Sequence, residues 1–233
     1  MKTEKGVDNM KFRHEWKHEI GYSDMLILRS RLKSVMQSDP NAKDGRYFVR
    51  SLYFDNLQDK ALMEKINGVN RREKFRLRYY NNDLSHITLE KKSKINGLCG
   101  KQQQVIGYEM AEQILNGDIE ALTASDRPSL LMELGIKMKT QGLMPKTIVD
   151  YEREPFICEA GNTRVTMDYN IRTGLISRDF LEPESTTVPA GDAPIILEVK
   201  WDEFLPSFVR DLVQIPGRHT SAFSKYAACR IYG

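Results

Sequence analysis

Cysteine is scarce: Cys99, Cys158 and Cys229 are the only three in 233 residues, and they lie far apart. They build neither a disulfide framework nor a CxxC zinc site, and they fit a reducing compartment. Long apolar runs are missing and mean hydropathy is −0.51, which excludes a transmembrane helix. The opening MKTEKGVDNMKFRHEWKHE has no apolar core of the kind a secretory signal requires, so a cytoplasmic setting is expected. There is no internal repeat, no low-complexity tract and no Walker-type phosphate loop. An excess of one charge is lacking too: 35 Lys and Arg face 32 Asp and Glu, for a net charge of +3. With no aromatic-studded basic stripe, that balance argues against nucleic acid as a partner. What remains is a chain 40% hydrophobic and 29% charged, the composition of a folded soluble protein. Residues 1–11 are polar and expected to be loose, and residues 12–233 read as a single domain.

Alternation predicts a strand over Phe12–Ile20. Ser23 can then cap a helix to about Met36, with Met25, Leu28, Leu32, Val35 and Met36 on its apolar face. Arg29, Arg31 and Lys33 fall on the solvated side of that helix. A strand at Phe48–Phe54 and a short helix at Leu57–Ile66 follow. Arg72–Tyr80 and His86–Lys94 alternate strongly around Asn81-Asn82-Asp83, a hairpin signal. Asn96-Gly97 and Gly100 lead into a strand near Lys101–Ile106. Helices are expected at Tyr108–Leu115 and Arg127–Thr140. Strands are expected at Thr147–Ile157, Arg164–Ile171 and Pro194–Trp201, and a last helix at Ser221–Arg230. Leu181–Pro194 reads as a long exposed loop. Hairpins without a βαβ rhythm make the class α+β with a largely antiparallel sheet.

The charges follow the strand period. Residues i, i+2 and i+4 share a face, so Lys74, Arg76 and Arg78 oppose Phe75, Leu77 and Tyr79. In the same way Thr88, Glu90, Lys92 and Lys94 oppose Ile87 and Leu89. Arg13, Glu15, Lys17 and Glu19 oppose His14, Trp16, His18 and Ile20. Tyr151 falls with Arg153, Arg164 and Thr166 with Asp168, and Glu198 with Lys200. A single such strand is an ordinary half-solvated strand. Five or six of them, with Lys74, Arg76 and Arg78 stacked without alternating acids, predict something else. Like charges that close call for an anion, and bulky apolar reverse faces call for helices outside. A closed sheet with a charged interior, a tunnel, satisfies both.

Such a tunnel suits linked phosphates, because Arg forks match phosphate oxygens two at a time. Carboxylates inside it would repel phosphate unless they hold a divalent cation, Mg²⁺ or Mn²⁺, shared with the substrate. Glu198, Glu15, Glu19, Glu90 and Asp168 are the candidates, and spacing alone does not choose among them. A competing motif is HEWKHEIGYSD, in which His14, Glu15 and His18 spell HExxH. Zinc ligation needs that motif on a helix. The segment alternates as a strand, which would put both histidines on the outer face, away from Glu15. His86 and His219 have no evident partner in the sequence.

With those residues in view, the chain resembles the VTC domain, the polyphosphate polymerase domain within the triphosphate tunnel metalloenzymes, from about Phe12 to the C-terminus. The resemblance is carried by SLYFDN (Ser51–Asn56), KFRLRYY (Lys74–Tyr80), LEKK (Leu89–Lys92) with Lys101, ILEVKW (Ile196–Trp201) and FSKY (Phe223–Tyr226). It implies an eight-stranded antiparallel β tunnel with helices packed outside, acting with a divalent metal on ATP and polyphosphate or triphosphate. By the same resemblance, Lys17, Arg76, Arg78, Lys92 and Lys225 are the catalytic cations. Lys101, Arg153 and Arg164 would bind substrate, joined by Lys74 and Lys200 because they lie on the same charged strand faces. Glu198 would be the metal-binding glutamate, with Glu15 and Glu19 as further metal candidates. A membrane protein that receives the polymer is a candidate partner. Where the eukaryotic polymerases carry a second basic residue three positions before the helical lysine, this chain has Ala222. Nothing in the 233 residues resembles their SPX sensor or membrane segments. Two further readings share the basic faces: a triphosphate hydrolase and a binding module without turnover.

Overall fold

The computed structural model describes residues 12–192, 194–217 and 220–231. The loose segment expected over residues 1–11, and His219, lie outside these. Ten strands run in chain order: β1 (Phe12–Ile20), β2 (Gln37–Ser38), β3 (Tyr47–Asp55), β4 (Arg72–Tyr80), β5 (Ile87–Ile95), β6 (Leu98–Ile106), β7 (Met144–Cys158), β8 (Thr163–Thr173), β9 (Val188–Pro189) and β10 (Ile195–Trp201). The helices are α1 (Tyr22–Val35), α2 (Lys60–Ile66), α3 (Tyr108–Asn116), α4 (Ile119–Thr123), α5 (Ser129–Gln141), α6 (Ser207–Leu212) and α7 (Lys225–Arg230).

Eight of the strands close into an antiparallel barrel in the order β7-β3-β4-β5-β6-β1-β10-β8, and β8 returns to pair with β7. The two-residue strands β2 and β9 extend β7 and β8 at the rim. Closure gives every main strand a neighbour on both sides, although β1 meets β6 through Phe12 and Arg13 alone, and alternation sorts side chains into an outer apolar face and an inner face that carries the charges.

Two apolar layers lie outside the barrel. Leu52, Phe54, Phe75, Leu77, Tyr79, Ile87 and Leu89 pack under α3, α4 and α5 through Ile114, Leu122, Leu131 and Leu134. On the opposite flank Phe156, Val165, Met167, Leu197, Val199 and Trp201 pack under α1 and α6 through Leu28, Leu32 and Val209. A third cluster belongs to the barrel interior. Tyr47, Val49, Tyr53, Val149, Tyr151, Ile171 and Ile196 meet Tyr226 and Cys229 of α7, so this short helix fills one end of the bore.

Several local expectations change. Gly21, not Ser23, stands at the N-cap of α1, and Asp24 reaches back to accept its backbone N–H at 3.0 Å. Val35 is exposed while Met25, Leu28, Leu32 and Met36 are buried. Arg29 is not simply solvated: its guanidinium donates twice to Glu154, at 2.8 and 2.6 Å. The 181–194 stretch is not wholly exposed, because Leu181, Thr187 and Ala190 are buried and Val188–Pro189 pairs with β8. Its neighbour is the fully paired ion pair of Arg50 and Asp150, whose guanidinium also donates to the Glu182 carbonyl at 2.7 Å. The short helices α4 and α6, one or two turns each, escaped the periodicity reading because neither is long enough to show an apolar stripe.

Candidate functional site: a basic tunnel

The bore of the barrel holds a cavity of about 350 Å³. Lys17, Lys74, Arg76, Arg78, Lys92, Lys101, Arg153, Arg164, Lys200 and Lys225 all line it, together with Glu15 and Glu198. All ten expected cations and two of the three expected metal ligands thus converge. Glu19 does not. It shares the inward parity of β1 but sits past the rim, exposed, bonded to the Ser221 hydroxyl. The stagger of β1 against its neighbours carries that end of the strand beyond the cavity, which parity cannot reveal.

Register explains the electrostatics. Arg76 lies opposite Glu90, Arg153 opposite Asp168, Lys17 opposite Glu198 and Glu15 opposite Lys200. Each acid is consequently surrounded by cations. Glu90 accepts from Arg76 Nε at 2.6 Å and pairs with Lys101 at 2.6 Å, with Arg78 3.9 Å away. Asp168 receives both Arg153 nitrogens, at 2.6 and 2.7 Å, and Lys225 at 2.5 Å. Burial opposes ionisation of both carboxyls, but the neighbouring cations outweigh it and hold both well below their ordinary range. Saturated in this way, Glu90 and Asp168 are anchors for arginine and lysine rather than free ligands.

Three lysines are placed differently. Lys74 stands directly opposite Lys92, and Lys92 opposite Lys101, a row of ammonium groups across three adjacent strands. Lys92 has Glu15 at 3.0 Å and Lys101 has Glu90. Among the described residues no carboxylate pairs with Lys74, whose ammonium lies 5.1 Å from the centre of the Tyr53 ring. Burial is the main force on Lys74; the Tyr53 charge opposes it and Lys92, Lys17 and Arg76 add to it, bringing the group down to about 7. Burial, then Lys92, also push Lys200 well below its ordinary value. Acids in the bore are fewer than cations, so each carboxylate is shared among several of them and Lys74 is left without one among the described residues.

Aromatic residues set the cations in place, and the sequence reading missed most of them. Tyr53 accepts from Arg76 Nη1 at 2.8 Å, and Ser51 and Tyr151 accept from Arg78 at 2.9 and 3.0 Å. Arg164 is held by Tyr47 at 2.5 Å and Asp39 at 2.7 Å. For Tyr53 the signal was present as the inward parity of SLYFD, and for Tyr151 as its shared face with Arg153, but tyrosine on an inner face reads as core. Burial resists ionisation of Tyr53, yet the charges of Arg76, Lys74 and Arg78 win and draw its hydroxyl down to about 6.

For a divalent cation the candidate donors are Glu15 and Glu198, which are also paired, but with lysines alone and not with arginine forks. Both approach Lys17, at 3.1 and 3.6 Å, and both also approach Lys200. Beside Glu198 in the β8 register is Thr166, whose buried hydroxyl has no hydrogen-bond partner among the described residues. Two carboxylates and an unsatisfied hydroxyl, all oxygen, fit a hydrated Mg²⁺ or Mn²⁺ that completes its shell on phosphate. No cluster of three His, Cys, Asp or Glu forms a closed metal cage among the described residues, so the substrate would have to supply ligands. The HExxH segment is strand β1, with His14 stacked outside on Trp201 at 5.3 Å between ring centres, which rules out a helical zinc site.

Comparison with known proteins decides the family: residues 12–231 match the VTC domain. The chain belongs to the VTC domain family. A Hippeastrum protein assigned as an adenylyl cyclase, with a dominant triphosphatase activity, is similar in structure. Its TM-score is 0.53 at 14% identity, over 92% of this VTC domain and 93% of that chain. A Bacillus halodurans protein assigned as an adenylate cyclase gives 0.47 at 12% identity over 82% and 80%. Comparison with curated proteins found no match. Among the described residues, no helix of this VTC domain is long and apolar enough to cross a membrane.

Proposed function

We propose that this VTC domain is a polyphosphate polymerase that transfers the γ-phosphoryl group of ATP to a growing chain inside the tunnel. The observation that carries the reading is the opposed row of Lys74, Lys92 and Lys101, beside the anchored Arg76 and Arg78. Like charges opposed across strands are unfavourable, and a linear polyanion laid across them relieves the repulsion all along its length. A single small anion would relieve only part of it.

In this reading Arg76 and Arg78, fixed by Glu90, Tyr53, Ser51 and Tyr151, present their outer N–H groups to the transferring phosphoryl. Lys17, Lys92 and Lys225 neutralise oxygens on either side of it. Lys74, Lys101, Arg153, Arg164 and Lys200 hold the rest of the phosphate chain. A terminal phosphate oxygen of the chain attacks the γ-phosphorus in line, the bond to the β-phosphate oxygen breaks, and ADP leaves with that electron pair. The side chains contribute positioning and preset charge, the main sources of acceleration for such a transfer. Glu15 and Glu198 would hold Mg²⁺ or Mn²⁺, which when bound offsets phosphate charge. With no Walker-type loop in the sequence, nucleotide recognition would rest on the phosphates. Delivery of the polymer to a membrane protein belongs to the same reading.

A hydrolase is the second reading, favoured by Ala222, which removes a cation near Lys225, and by the triphosphatase activity of the Hippeastrum protein. There water replaces the attacking chain. Incubation with ATP and Mn²⁺, following polyphosphate, ADP and free phosphate together, separates the two. Polymer with matching ADP supports the polymerase, and its loss in Arg76→Ala and Lys225→Ala assigns it to the tunnel. Free phosphate without polymer would replace this reading with hydrolysis. Tripolyphosphate binding without turnover would reduce it to a binding module.

A further inference from the structure

The SLYFDN stretch ends in a carboxylate that the proposed transfer does not use. Asp55 is completely buried and accepts four hydrogen bonds. The Asn56 and Ala61 N–H groups donate to Oδ1 at 2.9 and 2.8 Å; the Leu62 N–H and the Tyr226 hydroxyl donate to Oδ2 at 3.0 and 2.7 Å. Ala61 and Leu62 lie in the first turn of α2, so Asp55 satisfies backbone donors that a helix start leaves open. Asn56 Oδ1 takes the Lys60 N–H at 3.0 Å. Asp59, which holds the N-cap position, has a left-handed backbone and does not cap. Its carboxylate binds Arg230 of α7 at 3.0 Å and Lys146 at 3.2 Å.

Asp55 therefore ties the end of β3 to both α2 and α7. Neither helix holds itself: α7 is six residues long, and α2 has no buried residue. Tyr226 follows Lys225 in the chain, and its ring stacks on Tyr53 with centres 5.0 Å apart; Tyr53 in turn receives Arg76. Burial and the Asp55 charge raise the Tyr226 hydroxyl far above its ordinary value, so it donates at every working pH. The docking of α7 brings the Lys225 ammonium within reach of its Asp168 anchor at 2.5 Å and 4.7 Å from the centre of the Tyr151 ring.

We propose that Asp55 is a positioning residue: through Tyr226 it sets α7 so that Lys225 meets the phosphate chain. This rests on the polyphosphate reading of the tunnel. The test is a binding cycle with tripolyphosphate, measured by calorimetry on the full chain. It compares wild type, Asp55→Asn, Tyr226→Phe, Lys225→Ala and the Tyr226→Phe/Lys225→Ala double variant. Tyr226→Phe keeps the ring stack and deletes one hydrogen bond, so it folds even where Asp55→Asn does not. Each single variant should weaken binding about tenfold, the loss of one charged contact. Lys225→Ala should hide the effect of Tyr226→Phe, with the double variant within about twofold of Lys225→Ala. Losses that multiply independently, or unchanged affinity in folded Tyr226→Phe, would overturn the proposal while leaving the tunnel reading intact. Wild type that fails to bind tripolyphosphate would sink both.

Discussion

Replacing Lys74 with methionine tests whether the uncompensated charge in the bore is what recruits phosphate. In the empty tunnel burial and neighbouring cations bring Lys74 to about 7. A polyanion beside it restores the ammonium, so binding takes up a proton at pH between that value and the higher one of the bound state. If binding requires the charged form, affinity falls as one plus ten to the power of pH minus 7. That is about 50-fold between pH 7 and pH 9, or ~2.3 kcal/mol. At pH 8 the uptake from this group alone is about 0.9 proton. Calorimetric titration with tripolyphosphate in two buffers of different ionisation enthalpy reads that proton directly. The difference between wild type and Lys74→Met cancels the titration of the ligand and the contribution of Lys200; Tyr53, whose hydroxyl Lys74 helps to draw down, is removed by measuring the pair in a Tyr53→Phe background. Without ligand the sign reverses. Lys74 binds its proton less well folded than unfolded, so stability rises with pH from about 7 to the ordinary 10.5. A wild-type-to-variant affinity ratio that stays constant from pH 6 to pH 9 would refute the argument.

Three other outcomes follow from the same geometry. Asp168→Asn leaves Arg153 and Lys225 buried without their anion and should cost about 3 kcal/mol in urea unfolding, partly recovered by tripolyphosphate. The same carboxyl, held low in the folded state, contributes stability that is present at neutral pH and lost only as pH falls below its unfolded value toward the depressed folded one. Tyr53, drawn down to about 6, should absorb as phenolate near neutral pH and lose that absorbance when tripolyphosphate fills the bore; a spectrum unchanged in Tyr53→Phe would exclude it as the source. Gly161→Ala should destabilise by at least about 2 kcal/mol in thermal or urea melts. Its φ of +64° disfavours any side chain, and a Cβ there would overlap the Phe204 carbonyl oxygen.

Much of the barrel was legible from period alone. KFRLRYY separates its charges from its apolar residues so cleanly that Lys74, Arg76 and Arg78 had to share a face, and the same held for β5, β8 and β10. Length was legible less well: β7 runs three residues further upstream than the alternation suggested, where Pro145 interrupts the pattern. Glu19 shows where parity fails. Its face is the face of Glu15 and Lys17, but depth along the bore depends on strand stagger.

The local pattern by itself determined which side chains point inward, because a two-residue repeat is a property of the extended chain. It also indicated that the stacked cations needed anionic partners, from elsewhere in the chain or from a ligand, since they repel wherever the strand lies. Only the tertiary structure decided which of those charges are already spent. Glu90 neutralises Arg76 from the neighbouring strand, and Asp168 neutralises Arg153 and Lys225 across 15 and 57 residues of chain, while Lys74 finds no acid among the described residues. Those pairings follow from barrel closure and register, which are set by packing of the outer apolar faces against the helices. No short segment encodes them, because the energy of a charge depends on its neighbours in space.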